Sequence, residues 1–146
     1  AMLSRTCFAA LCLPSLSLGA THNVTVKSAG YDSGGVGEFS VDGKRLSAPM
    51  GRGMNVAVLQ TDGTLRDFGT FDTHADGSEA LVRFIAQLPS GSTVLIATVD
   101  EAQGNISAEA TSAIASCGAS KIDALTYRGA YALIGVKGGA ALAEQA

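Results

Sequence analysis

The sequence lacks tryptophan, and aromatic residues make up only 5% of its 146 residues. A site that depends on a broad aromatic surface therefore has few side chains available, and the core must be built mainly from Val, Ile, Leu and Ala. Charged residues are also scarce at 16%, whereas hydrophobic residues reach 47%. This balance excludes a globally disordered chain, and the length is that of one domain.

The chain also has no excess of positive charge. Ten basic residues stand against thirteen acidic ones, which gives a net charge of -3. A mildly acidic chain is poorly suited to hold nucleic acid or an anionic membrane through bulk electrostatics. We therefore expect no nucleic-acid partner.

Motifs for catalysis, cofactors or metals are absent too. The chain has two histidines, His22 and His74, and no H-E-x-x-H, C-x-x-C, G-x-S-x-G or phosphate-binding loop. The segment 72–76, Asp-Thr-His-Ala-Asp, could chelate a metal in principle, but it is more typical of a solvated turn that leads into a helix. We predict no metal, no cofactor and no enzymatic activity, because no nucleophile–base pair is visible.

The first twenty residues differ from the rest. One positive charge at Arg5 is followed by an uncharged, largely apolar run that ends in the small residues Gly19 and Ala20. This pattern predicts a secretory signal peptide over residues 1–20, since the run is too short for a membrane span. The alternative is a segment cut from a longer reading frame. With the leader removed, the mature chain would contain no membrane span.

Cysteine and asparagine usage fits export. Removal of the leader would leave Cys117 as the single cysteine, so the mature domain would have no internal disulfide. Two N-x-S/T triplets make Asn23 and Asn105 candidate glycosylation sites. These features indicate a secreted protein, or one that resides in the lumen of the secretory pathway.

Hydrophobic periodicity predicts four strands, a helix, a strand, a second helix and a last strand. The expected strands are Val24 to Lys27, Glu38 to Val41, Met54 to Leu59, Thr64 to Phe71, Thr93 to Val99 and Ala130 to Val136, and the expected helices are Ser78 to Leu88 and Ser107 to Cys117. The near-continuous apolar run of Thr93 to Val99 is expected to be covered on both faces. Asp76 or Ser78 is expected to cap the first helix, and Ser107 the second. The predicted fold class is α+β, with a mixed sheet and two main helices packed on it. Residues 140–146 are expected to form a tail or linker.

Three charged residues stand at the margins of predicted strands, where binding sites are commonly built. Arg52 lies between two glycines before a strand, Asp100 ends the long apolar strand, and Arg128 precedes the last strand. The forked donors of Arg and the acceptor oxygens of Asp suit the hydroxyls and amide of a sugar, and they equally suit an internal ion pair. The pattern alone leaves both interpretations open.

An ordered set of segments resembles one known family. These segments are Gly51-Arg52-Gly53-Met54-Asn55-Val56, Phe71-Asp72-Thr73, Val94 to Ala102, Leu125-Thr126-Tyr127-Arg128, and Ile134-Gly135-Val136-Lys137-Gly138-Gly139. Together they resemble the interleukin-like EMT inducer, or PANDER-like, domain, which occurs in secreted cytokine-like proteins and in the stem of protein O-mannose β-1,2-N-acetylglucosaminyltransferase. The likeness covers most of residues 21–139. It implies a compact β-β-α sandwich-like domain.

The resemblance also implies a function. In the glycosyltransferase stem the domain is a lectin module for β-linked N-acetylglucosamine, and its sugar-contacting residues match Arg52, Asp100 and Arg128. We therefore expect a secreted, non-catalytic carbohydrate-binding domain whose partner is a glycan or glycoprotein. The alternative is a cytokine-like signalling domain that acts through protein contacts, for example with a cell-surface receptor.

One departure from the family pattern follows Arg128. The family continues there with Asp-Ser-Trp-Ala-Phe, whereas this chain has Gly129-Ala130-Tyr131-Ala132-Leu133. Without the acidic neighbour, the Arg128 guanidinium is expected either to be available to a ligand or to be loosely held. Tyr131 is expected in the core, with ring stacking as the alternative. Any sugar would then be held mainly by Arg and Asp.

Overall fold

The computed structural model describes residues 11–14 and 22–146. The strands in these residues are β1 Leu11–Pro14, β2 Asn23–Gly30, β3 Gly37–Val41, β4 Lys44–Arg45, β5 Gly53–Leu59, β6 Leu65–Phe71, β7 Thr93–Asp100, β8 Ala132–Val136 and β9 Ala143–Gln145. The helices are α1 Ser78–Ala86 and α2 Ala108–Ala115, and single 3-10 turns cover Tyr31–Ser33 and Ile122–Ala124. A mixed sheet with two helices confirms the predicted α+β class.

Strand β7 is the centre of the sheet. Its residues Thr93 to Val99 pair with β5, which runs antiparallel to it. Its other edge is shared, because β8 pairs antiparallel with residues 93–97 and the end of β2 pairs parallel with Val99 and Asp100. The rest of β2 pairs antiparallel with β1 and β3. Strand β2 therefore connects two parts of the sheet.

The sheet has a hydrophobic cluster on each face. One face packs against α1 and α2, and its cluster includes Met54, Ile96, Leu81 and Ile114. The other face packs against β2 and β3, and its cluster includes Phe39 and Leu95 among its buried members. Strands β5 and β7 are covered on both faces, which is why they are uninterrupted apolar runs in the sequence.

Buried hydroxyl groups lie where the neighbouring strand of β7 changes from β8 to β2. The Ser28 hydroxyl donates to the Thr98 carbonyl oxygen at 2.7 Å, and the Tyr131 N–H donates to the Thr98 hydroxyl at 2.8 Å. All three residues are completely buried. The hydroxyl groups thus form hydrogen bonds with backbone groups of Thr98 and Tyr131 at the point where the neighbour of β7 changes. They also fix the end of β2 against the end of β7.

Some expectations about local structure need correction. Helix α1 has Gly77 at its N-cap position and no side-chain cap, whereas the sequence suggested Asp76 or Ser78. Residues 140–146 contain β9, which pairs with β8, so this segment is not simply a tail or linker. The Ser107 cap is confirmed, because its side chain accepts the Ala110 N–H at 3.1 Å.

The predicted leader, residues 1–20, lies mostly outside the described residues. Within it, Leu11–Pro14 forms β1 and pairs with Asn23 to Val26 of β2. The leader itself remains a prediction.

Candidate ligand-binding site

The three residues predicted to bind a ligand lie at one end of the sheet, where β7 finishes. Arg52 directly precedes Gly53, which pairs with Val99. Asp100 is the last residue of β7 and pairs with Gly30. A Cβ atom on Gly30 would lie 1.9 Å from the carbonyl oxygen of Arg128, so the Arg128 turn packs directly on that pair. We call the surface formed by the loops around this end the β7 rim.

A buried asparagine shapes the loop that carries Arg52. The Asn55 side-chain oxygen accepts the Gly51 N–H at 2.9 Å, and its NH₂ group donates to the Gly51 carbonyl oxygen at 2.8 Å. Thr70 donates its hydroxyl to the same side-chain oxygen. Gly53 then turns the chain into β5 with φ of +100°, where a Cβ atom would lie 2.1 Å from the Phe71 carbonyl oxygen. Asn55 is a positioning residue to which the sequence analysis assigned no role.

Arg52 forms a forked ion pair, and its partner is Asp72. Arg52 Nη2 lies 2.7 Å from Asp72 Oδ2, and Nε lies 3.1 Å from both carboxylate oxygens. Hydrogen bonds from Arg52 lower the pKa of the Asp72 carboxyl, and the same contact raises the pKa of Arg52. The ion-pair interpretation therefore applies to Arg52. Its Nη1 group is not used by this pair.

Asp100 is held in an uncommon backbone conformation. Its φ is +62°, in the left-handed region. Its Cα and Cβ atoms lie 3.6 Å from the position that a Cβ atom on Gly35 would occupy. The carboxylate is partly exposed, and its negative charge helps to raise the pKa of Arg52. Asp100 thus supplies acceptor oxygens at the centre of the rim.

Arg128 is also held with a positive φ, of +60°. Its guanidinium carbon lies 4.4 Å from the ring centroid of Tyr31 and 5.3 Å from that of Tyr127. Each such cation–π contact at an exposed position contributes about 0.5–1 kcal/mol. Asp32 is an ion-pair partner with Nη1 and Oδ1 separated by 3.7 Å, which exceeds hydrogen-bond distance. The guanidinium is therefore ordered by aromatic rings while its N–H groups remain close to solvent.

Two exposed tyrosines lie at the rim. The sequence predicted that any sugar would be held mainly by Arg and Asp, and the structure places Tyr31 and Tyr127, which are 54% and 56% exposed, beside Arg128. Tyr131, the residue considered for stacking, is completely buried, which confirms its place in the core. The sequence gives little warning of this arrangement, because Tyr31 belongs to a loop far from Arg128 along the chain.

Glu101 joins the loops of the rim from below. Its side chain is 4% exposed and accepts N–H groups from Gln103 at 2.7 Å and Gly104 at 3.0 Å. It also pairs with His74 Nδ1 at 2.5 Å and reaches the Arg128 N–H at 3.4 Å. Burial alone would raise the pKa of Glu101. The hydrogen bonds together outweigh the effect of burial, so the pKa of Glu101 is lowered. A buried carboxylate thus fixes three loops at once.

The two candidate glycosylation sites are exposed asparagines, one of which has a hydrogen-bond partner. Asn105 is exposed, but its NH₂ group donates to the His74 carbonyl oxygen at 2.6 Å. Asn23 is exposed at the start of β2.

Across residues 11–14 and 22–146, no three His, Cys, Asp or Glu side chains are grouped to hold a metal ion. Nor does any helix among them have the length and apolarity to cross a membrane.

A cavity of about 630 Å³ opens at the other end of β7. Its lining includes His22, Arg66 and residues 89–93, and none of the three predicted site residues contributes to it. Large cavities are common places for small-molecule sites. The β7 rim, however, combines ordered charges, exposed aromatic rings and residues with positive φ, so we regard the rim rather than the cavity as the candidate site.

Comparison with known proteins identifies relatives. Protein FAM3C of Danio rerio is 33% identical over 90 residues, which cover 61% of this chain and 40% of that protein. Protein FAM3D of Homo sapiens is 29% identical over 89 residues, with 60% and 40% covered. Protein FAM3A of Homo sapiens is 28% identical over 90 residues, with 61% and 39% covered. The matched stretch thus spans about 40% of the length of these relatives.

A family model gives the same assignment. The model described as interleukin-like EMT inducer matches residues 52–139. This range is more than half of the chain, and it contains Arg52, Asp100 and Arg128. Tyr31 and Asp32 lie outside it. The chain therefore belongs to the interleukin-like EMT inducer family.

Proposed function

We propose that this chain is a secreted, non-catalytic carbohydrate-binding domain that recognises glycans of the β-linked N-acetylglucosamine type at the β7 rim. Arg52, Asp100 and Arg128 would make the polar contacts. The observation that carries the proposal is backbone strain at the rim. Among residues 22–146, the non-glycine residues with positive φ are Asp42, Asp100 and Arg128. Two of these three belong to the predicted site.

Strain of this kind supports a binding role. A backbone conformation with positive φ is unfavourable for a non-glycine residue such as Arg. Such a residue keeps this conformation only where its surroundings hold it in place. Asp42 has a simple local explanation, because it forms the turn between β3 and β4 together with Gly43. Asp100 and Arg128 instead adopt positive φ next to each other in space, at the end of two different segments. Such clustering is typical of functional sites.

The chemistry of the rim suits a sugar. Asp100 offers acceptor oxygens to hydroxyl hydrogens, and Arg128 offers N–H donors to hydroxyl or acetamido oxygens. Arg52 would contribute through Nη1, since its other nitrogens hold Asp72. A few exposed contacts of this type correspond to weak single-site binding, about millimolar or −4 kcal/mol. Useful binding would then require several copies or several sugar units.

A protein partner is the second candidate. The family description and the exposed Tyr31, Tyr127 and Arg128 support it, because Tyr and Arg are enriched at the centres of protein interfaces. In that case the domain would act as a cytokine-like signal through a cell-surface receptor. Both candidates use the same rim, but they differ in whether a free sugar binds.

A glycan array with the folded chain distinguishes the candidates. The carbohydrate proposal predicts signal on glycans that end in β-linked N-acetylglucosamine. Arg128→Ala should abolish this signal, and Arg83→Ala, which removes an exposed Arg on α1 paired with Glu79, should leave it unchanged. Both variants should melt near the wild-type temperature. A folded wild-type chain without any glycan signal would contradict the proposal and favour the protein partner.

A further inference from the structure

Exposed hydrophobic side chains are concentrated at the rim. Among residues 22–146, the large hydrophobic side chains that are substantially exposed are Tyr31, Val36, Tyr127 and Leu142. Tyr31 and Val36 lie in the loop between β2 and β3, and Tyr127 lies in the loop before β8. Three of the four therefore come from loops of the rim. Of these, Tyr31 and Tyr127 both contact the Arg128 guanidinium, so exposed aromatic rings lie beside an ordered charge.

Both tyrosines contact Arg128. The guanidinium carbon is close to both ring centroids, at 4.4 Å for Tyr31 and 5.3 Å for Tyr127. The Tyr127 side chain also contributes most to the raised pKa of Arg128. Each tyrosine keeps more than half of its surface exposed, so the rings still present aromatic surface to solvent. A guanidinium restrained in this way loses little conformational freedom when a ligand binds.

The loop that carries Tyr31 is built to reach Arg128. Gly35 N–H donates to the Gly30 carbonyl oxygen at 3.0 Å, and Gly34 N–H donates to that of Tyr31 at 3.2 Å. Gly34 and Gly35 both have positive φ. The tight turn brings the loop back over Asp100, and the Tyr31 ring lies against the Arg128 guanidinium. This contact crosses from a segment outside the family match to one inside it.

On the basis of the proposed function, we propose that Tyr31 and Tyr127 form an aromatic subsite that stacks against the apolar face of a pyranose ring. Arg128, held by both rings, would then direct its donors to the oxygen atoms at the edge of the same sugar. Aromatic faces carry partial negative charge, which attracts the polarised C–H groups on one face of a pyranose. The ligand class is a pyranose that carries hydroxyl or acetamido groups.

The chain offers a direct optical test, because it has three tyrosines and no tryptophan. Tyrosine emission of the full chain is recorded while N,N′-diacetylchitobiose is added, and NMR chemical shifts give the binding constant. Tyr31→Ala and Tyr127→Ala should each weaken binding about threefold to tenfold, the range expected for one aromatic contact. Tyr31→Phe should bind within about twofold of wild type, since it keeps the ring. Leu142→Ala, at an exposed apolar position in the loop before β9, is the matched control and should bind as wild type.

The outcomes separate the subsite from the function. If wild type binds chitobiose and Arg128→Ala binds less, but both tyrosine-to-alanine variants bind as wild type with unchanged melting temperature, the aromatic subsite is wrong and the carbohydrate proposal stands. If folded wild type binds neither chitobiose nor any other β-linked N-acetylglucosamine probe, the proposed function fails and the subsite fails with it. Weakened binding by Tyr31→Ala, restored by Tyr31→Phe, supports the subsite when the bound chain also shows NOEs between Tyr31 ring protons and sugar ring protons. The same binding pattern without such NOEs would contradict stacking and leave Tyr31 as a positioning residue for Arg128.

Discussion

Replacement of Glu101 by Gln should destabilise the domain far more than a typical surface change. The Glu101 carboxylate is 4% exposed and accepts the N–H groups of Gln103 and Gly104 while it contacts His74. Gln has a single acceptor oxygen, and its NH₂ group would face a donor. Hydrogen bonds to a charged group contribute about 1.5–3 kcal/mol to stability. We expect the free energy of unfolding to fall by that amount.

This loss is measurable by thermal and urea unfolding followed by circular dichroism. For a domain of this size it corresponds to a melting temperature lower by roughly 5–12 °C. Glu79→Gln is the matched control, because the Glu79 side chain is 81% exposed and pairs with Arg83 one helical turn away. A pair of that kind contributes only about 0.3–0.5 kcal/mol. Equal effects of the two substitutions would refute the role assigned to Glu101.

The pH dependence adds a second check. The pKa of Glu101 is lowered in the folded chain from an ordinary value of 4.5. A carboxyl with a depressed native pKa stabilises the fold fully above its unfolded pKa, and this contribution is lost as the pH falls through the native pKa. The Gln variant lacks this titration. The stability difference between wild type and Glu101→Gln should therefore narrow below pH 4.5, and a difference that stays constant to pH 2 would contradict the assignment.

Three further predictions concern the elements that support the rim. Tyr131→Phe should cost about 1–3 kcal/mol in urea unfolding, because its hydroxyl donates to Glu144 at 2.7 Å and ties β9 to β8. Gly30→Ala should lower the urea midpoint by the equivalent of about 1–3 kcal/mol, since its Cβ atom would lie 1.9 Å from the Arg128 carbonyl oxygen and the backbone would have to shift. Ser107→Ala should cost about 1 kcal/mol through the lost cap of α2, measured as a lower urea midpoint with an unchanged slope.

Local sequence patterns predicted most of the framework. The apolar run of β7 indicated a strand covered on both faces, and the structure has the helices on one side and β2 with β3 on the other. Ser107 was recognised as a cap because its chemistry involves only the next few residues. Strand β9 was missed, since its three residues, Ala-Glu-Gln, have no apolar alternation. It is instead held through Glu144, which accepts the Ser120 and Lys121 N–H groups.

The site was predictable in position but not in detail. Arg52, Asp100 and Arg128 could be placed at strand ends from the sequence alone, because strand ends are visible as changes in hydrophobic pattern. Tyr31 could not be assigned as a partner of Arg128, since it belongs to a loop that is distant in sequence. Asp72 follows β6, the antiparallel neighbour of β5 along the chain, and it meets Arg52 at the open end of that hairpin. One local signal was available for Asn55, which is a polar residue inside an otherwise apolar strand. Such a residue needs hydrogen-bond partners when it is buried.

The most direct test of the account is an NMR titration of the isotope-labelled chain with N,N′-diacetylchitobiose. Binding at the rim predicts chemical-shift changes in residues 30–36, 51–53, 100–104 and 127–129, and these changes should disappear in Arg128→Ala. Residues 60, 61, 63 and 89–93, which line the cavity at the other end of β7, should not change. Changes confined to that cavity, or no changes at millimolar sugar in a folded chain, would contradict the claim that the rim binds carbohydrate.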